Sequence, residues 1–266
     1  MDAPKFIQGD SAVLPFADDT FDCFVTSPPY FGQRFYGDDP RETGRGDLEI
    51  YIEEQVTMMA EARRTLKPTG IAWYNVADTA SNSGGAGGDH SKGSKQGIRK
   101  YRQGDMGLPG NQWGLVPYRL AMAFQADGWL IRSVIVWDKM RLHPESLKNA
   151  RRPGFQYETI LMLVKHKSYR FFEDRLVERG NIWHFRPSNG KQHVAPFPDE
   201  LPRRCILPST EPGDLVLDVH SGTGTTARVA ESLDRYGFGV ELYADVVHDA
   251  ASRENPMNLA PTTRRE

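Results

Sequence analysis

The chain has 266 residues and a mass of 30.0 kDa, with 39% hydrophobic and 26% charged residues. These are the proportions of a globular protein, which exclude wholesale disorder and suit a single domain spanning residues 1–266 with room for insertions. No uninterrupted apolar run approaches the ~18–20 residues of a bilayer span. The opening MDAPKFIQGD lacks the basic-then-apolar pattern of a secretory signal. The expectation is a cytoplasmic protein without a membrane partner. Its two cysteines, Cys23 and Cys205, are too few for a disulfide framework, and neither sits in a metal-type cluster. The net charge of −2 is unevenly spread. Residues 1–70 carry 7 Lys+Arg against 13 Asp+Glu, whereas residues 89–152 carry 12 against 5. A basic centre in an acidic chain suits a polyanion groove, and equally a solvated basic face.

In chain order, a weak strand pattern covers Lys5–Gln8 and a strong one Phe21–Thr26. Residues Asp47–Leu66 read as a helix with Tyr51, Val56, Met59, Ala62 and Leu66 on one face, stopped by Lys67-Pro68. A strand follows at Ile71–Val76. Residues 81–112 are glycine-rich and poor in apolar side chains, the composition of a functional or disordered loop rather than a core. Then come a helix at Val116–Ala126, a strand at Trp129–Trp137, a basic loop at 139–152 and a strand at Thr159–Lys165. The last stretch reads as a helix at Leu201–Leu207, a strand at Leu215–Val219, a helix at Thr223–Asp234, a strand at Gly237–Glu241 and a helix at Ala244–Arg253. The tail 255–266 reads as frayed. Alternating strands and helices imply an α/β fold with a mainly parallel sheet covered on both faces. The strands at 129–137 and 159–165 have no helix pattern between them, so they are expected to pair antiparallel at one edge.

Two clusters carry chemistry. Thr26-Ser27-Pro28-Pro29-Tyr30 follows an apolar strand directly. Two prolines hold the backbone extended and leave carbonyl acceptors without N–H donors. Ser27 adds a hydroxyl and Tyr30 a flat aromatic face, at the strand end where open α/β sheets bind ligands. Acceptors beside a stacking ring suit a planar base with an exocyclic amine, although an ordinary polyproline turn has the same letters. The second cluster, Asp218-Val219-His220-Ser221-Gly222-Thr223-Gly224-Thr225-Thr226, joins an apolar strand to a helix start. Glycines there admit a ligand to the backbone, and the helix N-terminus offers free N–H groups. The phosphate-loop pattern GxxxxGK[ST] is absent, which argues against nucleoside triphosphates. Glu241 ends the next strand, where an acid commonly grips two ribose hydroxyls.

Together these residues resemble the S-adenosylmethionine-dependent amino DNA methyltransferases. Ser27–Tyr30 looks like their SPPY catalytic motif and Asp218–Thr226 like their D-P-F-x-G-S-G-T-T cofactor motif. The catalytic motif comes first, as in the permuted β group. Gly9-Asp10, Leu66-Lys67-Pro68, Gly128–Lys139 and His193–Leu201 agree with that order. Val219-His220 departs from the family's Pro-Phe.

The resemblance implies a Rossmann-like class I methyltransferase fold: a mainly parallel, seven-stranded sheet with an antiparallel edge strand and circularly permuted motif order. It implies S-adenosyl-L-methionine as cofactor, S-adenosyl-L-homocysteine as product and double-stranded DNA as partner. It assigns catalysis to Ser27, Pro28, Pro29 and Tyr30. Cofactor binding falls to Asp10, Asp218, His220, Ser221, Gly222, Gly224, Thr225, Thr226, Glu241 and Phe197, with His193 and Pro196 beside the last. DNA contacts are expected from Lys92, Lys95, Arg99, Lys100 and Arg102 in the insert and from Arg141, Arg151 and Arg152 in the second loop; Arg34 and Tyr36 suit either DNA or a plain surface role. Serine at position 27 resembles the cytosine-N4 enzymes, with adenine-N6 methylation and a catalytically inactive DNA-binding relative as alternatives. No metal is called for, and His143, His166 and His184 lack ligand spacing. A homodimer and a restriction endonuclease partner are left open.

Overall fold

A computed structural model describes residues 5–32, 39–44, 46–81, 106–142, 152–187 and 197–252. Lys92, Lys95, Arg99, Lys100, Arg102, Arg151, Arg34, Tyr36, His143, His193, Pro196 and the tail 255–266 lie outside the described residues.

Among the described residues eight strands form one sheet: β1 (Lys5–Gln8), β2 (Phe21–Thr26), β3 (Leu66–Val76), β4 (Leu130–Asp138), β5 (Tyr157–Val164), β6 (Ile182–His184), β7 (Leu215–Asp218) and β8 (Tyr236–Glu241). Their order across the sheet is β1-β8-β7-β2-β3-β5-β4-β6. Among them β5 alone runs backwards, antiparallel to both β3 and β4. Two details therefore differ from expectation. There are eight strands rather than seven, because the three-residue β6 pairs in parallel with β4. The reversed strand is interior rather than at the edge, with β4 and β6 beyond it.

Among the described residues four α-helices lie between strands, α1 (Leu48–Thr65), α2 (Val116–Ala126), α3 (Glu200–Ile206) and α4 (Thr225–Ser232), and a fifth, α5 (Ala244–Ser252), follows β8. Asp47 starts α1 by accepting a hydrogen bond from the Ile50 N–H at 3.0 Å. Pro117 sits in the first turn of α2, where its missing N–H costs nothing. β2 is buried along its whole length, and its side chains serve two cores, by alternation from Cys23 onward and by an irregularity between Phe21 and Cys23 that sends Phe21 to the same side as Phe24. Phe21 and Phe24 pack with Leu48, Tyr51 and Met59 of α1 and Leu120 and Phe124 of α2. Cys23 and Val25 face the other way, into a core with Leu201, Cys205 and Ile206 of α3 and Val229 and Ala230 of α4. Among the described residues no helix is long and apolar enough to cross a membrane.

Because β1, β2, β3, β7 and β8 run the same way, their carboxyl ends share one edge of the sheet. Ser27, Asp218, Glu241 and Asp10 all follow or end such strands.

Candidate active site

A cleft of about 380 Å³ opens at that edge. Ser27 and Pro29 of the first cluster line it together with His220, Ser221, Gly222, Thr223 and Thr225 of the second. Asp10 and Glu241 join them, brought side by side by the β1–β8 pairing, with the Gly9 N–H donating to the Glu241 carbonyl at 2.9 Å. Phe197 closes one side.

The loop from β7 to α4 is shaped by Gly224, whose φ of 80° lies in the left-handed region. A Cβ there would come within 2.4 Å of the Phe6 ring. The loop is held from below by Asp218. Its buried carboxylate accepts from the Thr26 hydroxyl at 2.9 Å, the Thr226 hydroxyl at 2.8 Å and the His220 N–H at 3.1 Å. Asp218, Gly224 and Thr226 thus sit beneath the cleft rather than on its lining. The Thr26–Asp218 bond ties the strand that leads into the proline turn to the glycine loop. Burial pushes the Asp218 carboxyl up to about 6, against the three donors and with Glu241 adding to the rise.

Glu241 is prepared as an acceptor. Its two oxygens take the Gly222 N–H at 3.0 Å and the Leu242 N–H at 2.9 Å, which leaves lone pairs on both for a ligand. Burial raises its pKa too. His220 is pushed down to about 4 by burial, so its imidazole is neutral at pH 7. Its Nε2 and the Ser221 Oγ are buried polar atoms without a protein hydrogen-bond partner. Such atoms call for a partner, and both residues line the cleft. A ligand rich in hydroxyl, amine and carboxylate groups fits this lining, and S-adenosyl-L-methionine has all three.

The proline turn rests on groups that the sequence reading missed. Tyr30 donates its phenol hydrogen to Glu158 Oε2 at 2.7 Å. The Tyr30 and Ser27 hydroxyl oxygens are 3.0 Å apart. Asn75 Nδ2 lies 2.7 Å from the Tyr30 oxygen, 2.8 Å from Glu158 Oε2 and 3.2 Å from Ser27 Oγ. Lys139 pairs with Glu158 from the far side. Pro28 is buried, and the Pro29 carbonyl accepts from the Tyr51 hydroxyl at 3.0 Å. The available signal was a polar residue inside an apolar strand: Asn75 within IAWYNV, and Glu158 heading TILMLV. Arg41, Glu42, Thr43 and Tyr243 also line the cleft, with the Tyr243 hydroxyl donating to Glu42 Oε2 at 3.1 Å. Both described candidates for DNA contact, Arg141 and Arg152, are exposed. Arg152 lies 4.8 Å over the Trp113 ring and donates to the Asn111 carbonyl at 3.0 Å.

A cofactor cleft at the carboxyl edge of a mostly parallel sheet, with a proline-braced turn opening into it, defines a group-transfer enzyme of methyltransferase architecture. A family model described as DNA methylase, of the N6/N4 type, matches residues 21–252. The type II methyltransferase M.SmaI of Serratia marcescens is 35% identical over 265 residues, covering 94% of this chain and 90% of that protein. M.Cfr9I of Citrobacter freundii is 37% identical over 244 residues, covering 87% and 80%. Among solved structures, the PvuII DNA methyltransferase (cytosine-N4-specific) superposes with a TM-score of 0.73 at 20% identity, over 96% of this chain and 88% of that one. A Thermus thermophilus protein described as a DNA modification methylase, solved with S-adenosyl-L-methionine, gives a TM-score of 0.67 at 22% identity, over 93% and 91%. The chain belongs to the N6/N4 family of S-adenosyl-L-methionine-dependent DNA methyltransferases.

Proposed function

We propose that this methyltransferase acts on the exocyclic N4 of cytosine in duplex DNA. The observation that carries the reading is Ser27: a hydroxyl, not a carboxylate, heads the proline turn and lines the cofactor cleft. The adenine-N6 enzymes that the turn resembles mostly carry Asp there. The fold shared with a structure described as a cytosine-N4 enzyme supports the same choice.

S-adenosyl-L-methionine supplies a methyl group already activated on a sulfonium sulfur. The chain's task is to present an amine in line with it. An aromatic amine is a weak nucleophile because its lone pair is delocalised into the ring. Acceptors at Ser27 Oγ and the Pro28 carbonyl draw that nitrogen toward sp³ and offset the positive charge it develops. As the N–C bond forms, sulfur keeps the electron pair of the broken S–C bond, and the surplus amine proton leaves to solvent. The base reaches the turn by leaving the duplex. Glu241 holds the cofactor's ribose hydroxyls, Asp10 its adenine amine, and the loop from His220 to Thr225 its methionine end. The basic segments 81–112 and 139–152 hold DNA phosphates. A cytoplasmic setting, with access to DNA, accords with this activity.

The test is nucleoside mass spectrometry on a duplex library holding every six-base sequence, after incubation with protein and S-adenosyl-L-methionine. N4-methyldeoxycytidine, resolved from its C5 isomer, is the expected product. N6-methyldeoxyadenosine would keep the family and refute the use of Ser27 to choose the base. No methylated nucleoside, together with no cofactor binding by calorimetry, would mark an inactive relative.

A further inference from the structure

We infer that Glu158, held by Lys139, is a positioning residue that fixes the direction of the Ser27 hydroxyl, so that Ser27 Oγ meets the target amine as an acceptor only. The inference rests on the catalytic-turn reading above.

A serine hydroxyl is ambiguous, with one hydrogen to donate and two lone pairs to accept. Donating to an attacking amine would engage the lone pair that must reach the methyl group, so a serine in this role has to be prevented from donating. The network does so by elimination. Glu158 is a carboxylate paired to Lys139, and it can only accept. Tyr30 therefore spends its single hydrogen on Glu158 Oε2, at 2.7 Å. With that hydrogen committed, the 3.0 Å contact between Tyr30 and Ser27 has one remaining polarity: Ser27 donates and Tyr30 accepts. Asn75 reinforces the assignment. Its Nδ2 must face Glu158 as a donor, 2.8 Å away, so the amide cannot be turned over to offer its oxygen to the two hydroxyls. The two hydrogens of Asn75 Nδ2 face Glu158 at 2.8 Å and Tyr30 at 2.7 Å, the second shared at most with Ser27 at 3.2 Å; with its own hydrogen spent on Tyr30, Ser27 Oγ therefore keeps at least one lone pair for the cleft.

Burial makes the arrangement durable. Asn75 is 1% exposed and Glu158 6%, so water cannot supply alternative partners freely. Burial and the Glu158 charge also hold the Tyr30 phenol well above its usual pKa, which keeps its hydrogen in place. The chain order explains how a distant carboxylate reaches the turn. β5 runs backwards, so its beginning, not its end, lies at the functional edge. Glu158 is the second residue of β5, and it pairs across the ladder with Trp137, two residues before Lys139. A hydroxyl oriented in this way offers what a carboxylate offers at the same position, an acceptor that cannot donate, without a second buried negative charge beside Glu158.

The experiment is a double-mutant cycle on the full chain, reading single-turnover methylation of the six-base library at saturating labelled S-adenosyl-L-methionine, with cofactor Kd by calorimetry and Tm alongside. Glu158→Gln, which can turn an N–H toward Tyr30 and reverse the chain, is expected to slow methylation about 10- to 100-fold, with cofactor Kd within about twofold of the parent. In a Ser27→Ala background, where the Pro28 carbonyl sustains a residual rate, the same change is expected to cost less than about threefold. Tyr30→Phe removes only a hydroxyl and serves if Glu158→Gln folds poorly or Ser27→Ala is silent. Its loss and that of Glu158→Gln are expected to be much less than multiplicative. Equal costs of Glu158→Gln with and without Ser27, or multiplicative losses with Tyr30→Phe, would overturn the inference. A Glu158→Gln enzyme at full rate beside a crippled Ser27→Ala enzyme would overturn it and leave the turn assignment standing. Full rate in Ser27→Ala would remove both.

Discussion

Replacing Asp218 tests how the two halves of the site are joined, and its signature is a pH dependence. Asp218→Ala strands the Thr26 and Thr226 hydroxyls and the His220 N–H, all of which donate to the carboxylate. Losing the shared acceptor of buried donors costs about 1–3 kcal/mol at pH 8. The sign of the pH effect follows from the raised pKa. The carboxyl titrates at about 6 in the folded chain and near 3.8 when exposed, so the native state binds the proton more tightly. Its contribution to stability is fully present below the unfolded pKa and is lost as pH rises through the folded one. Between pH 8 and pH 5 the parent gains on the order of 1 kcal/mol from this residue, and the alanine variant gains none of it. Urea denaturation of both proteins at both pH values should therefore show a gap that widens by about that amount at pH 5. Asp218→Asn, which keeps an oxygen for Thr26 and His220, should show the same widening from a smaller gap at pH 8. A gap that is constant, or narrower at pH 5, would refute the buried, proton-hungry carboxylate. Both variants should also weaken cofactor binding, alanine more than asparagine, because the ligand loop loses its brace.

In its proposed role Glu241 accepts from two ribose hydroxyls as a carboxylate, and burial raises its pKa, so affinity for S-adenosyl-L-methionine should fall as pH drops toward 5. Calorimetry should show Glu241→Gln binding more weakly and almost independently of pH; a parent affinity flat from pH 8 to 5 would remove the charge from the interaction. Gly237→Ala places a Cβ 2.2 Å from the Ala227 carbonyl oxygen, on backbone that cannot swing aside. The variant should lose about 3 kcal/mol as α4 is pushed from β8, and an unchanged Tm would contradict that packing. Replacing Arg99, Lys100 and Arg102 together by Ala should raise the DNA Kd and flatten its log–log salt slope by about 2–3. An unchanged slope would take the insert out of the interface.

Much of the fold was legible because its signals are local. β1, β2 and α2 occupy the spans their patterns predict, the last bounded by Pro117 and by Asp127-Gly128. The misreadings have long-range causes. At three residues β6 is too short to show a period, and it exists only because β4 offers a parallel edge. Lys67-Pro68 reads as a helix stop, which it is, but β3 already begins at Leu66, which pairs with Phe21, and the ladder is irregular where Asp22 turns to meet Lys67 and Arg170. The site divides along the same line. The proline turn and the glycine loop are contiguous in sequence, so their letters carry their chemistry. Asn75 and Glu158 lie on β3 and β5 and Lys139 just past the end of β4, and no spacing between them has meaning until the sheet order is known. Reversing β5 in the interior, rather than at the edge, is what gives them meaning. It sets the start of β5 beside the ends of β3 and β4, delivering an acid and a lysine to the same edge as Ser27. A carboxylate that would otherwise cap a remote end of the sheet thereby becomes the terminal acceptor behind the Ser27–Tyr30 turn.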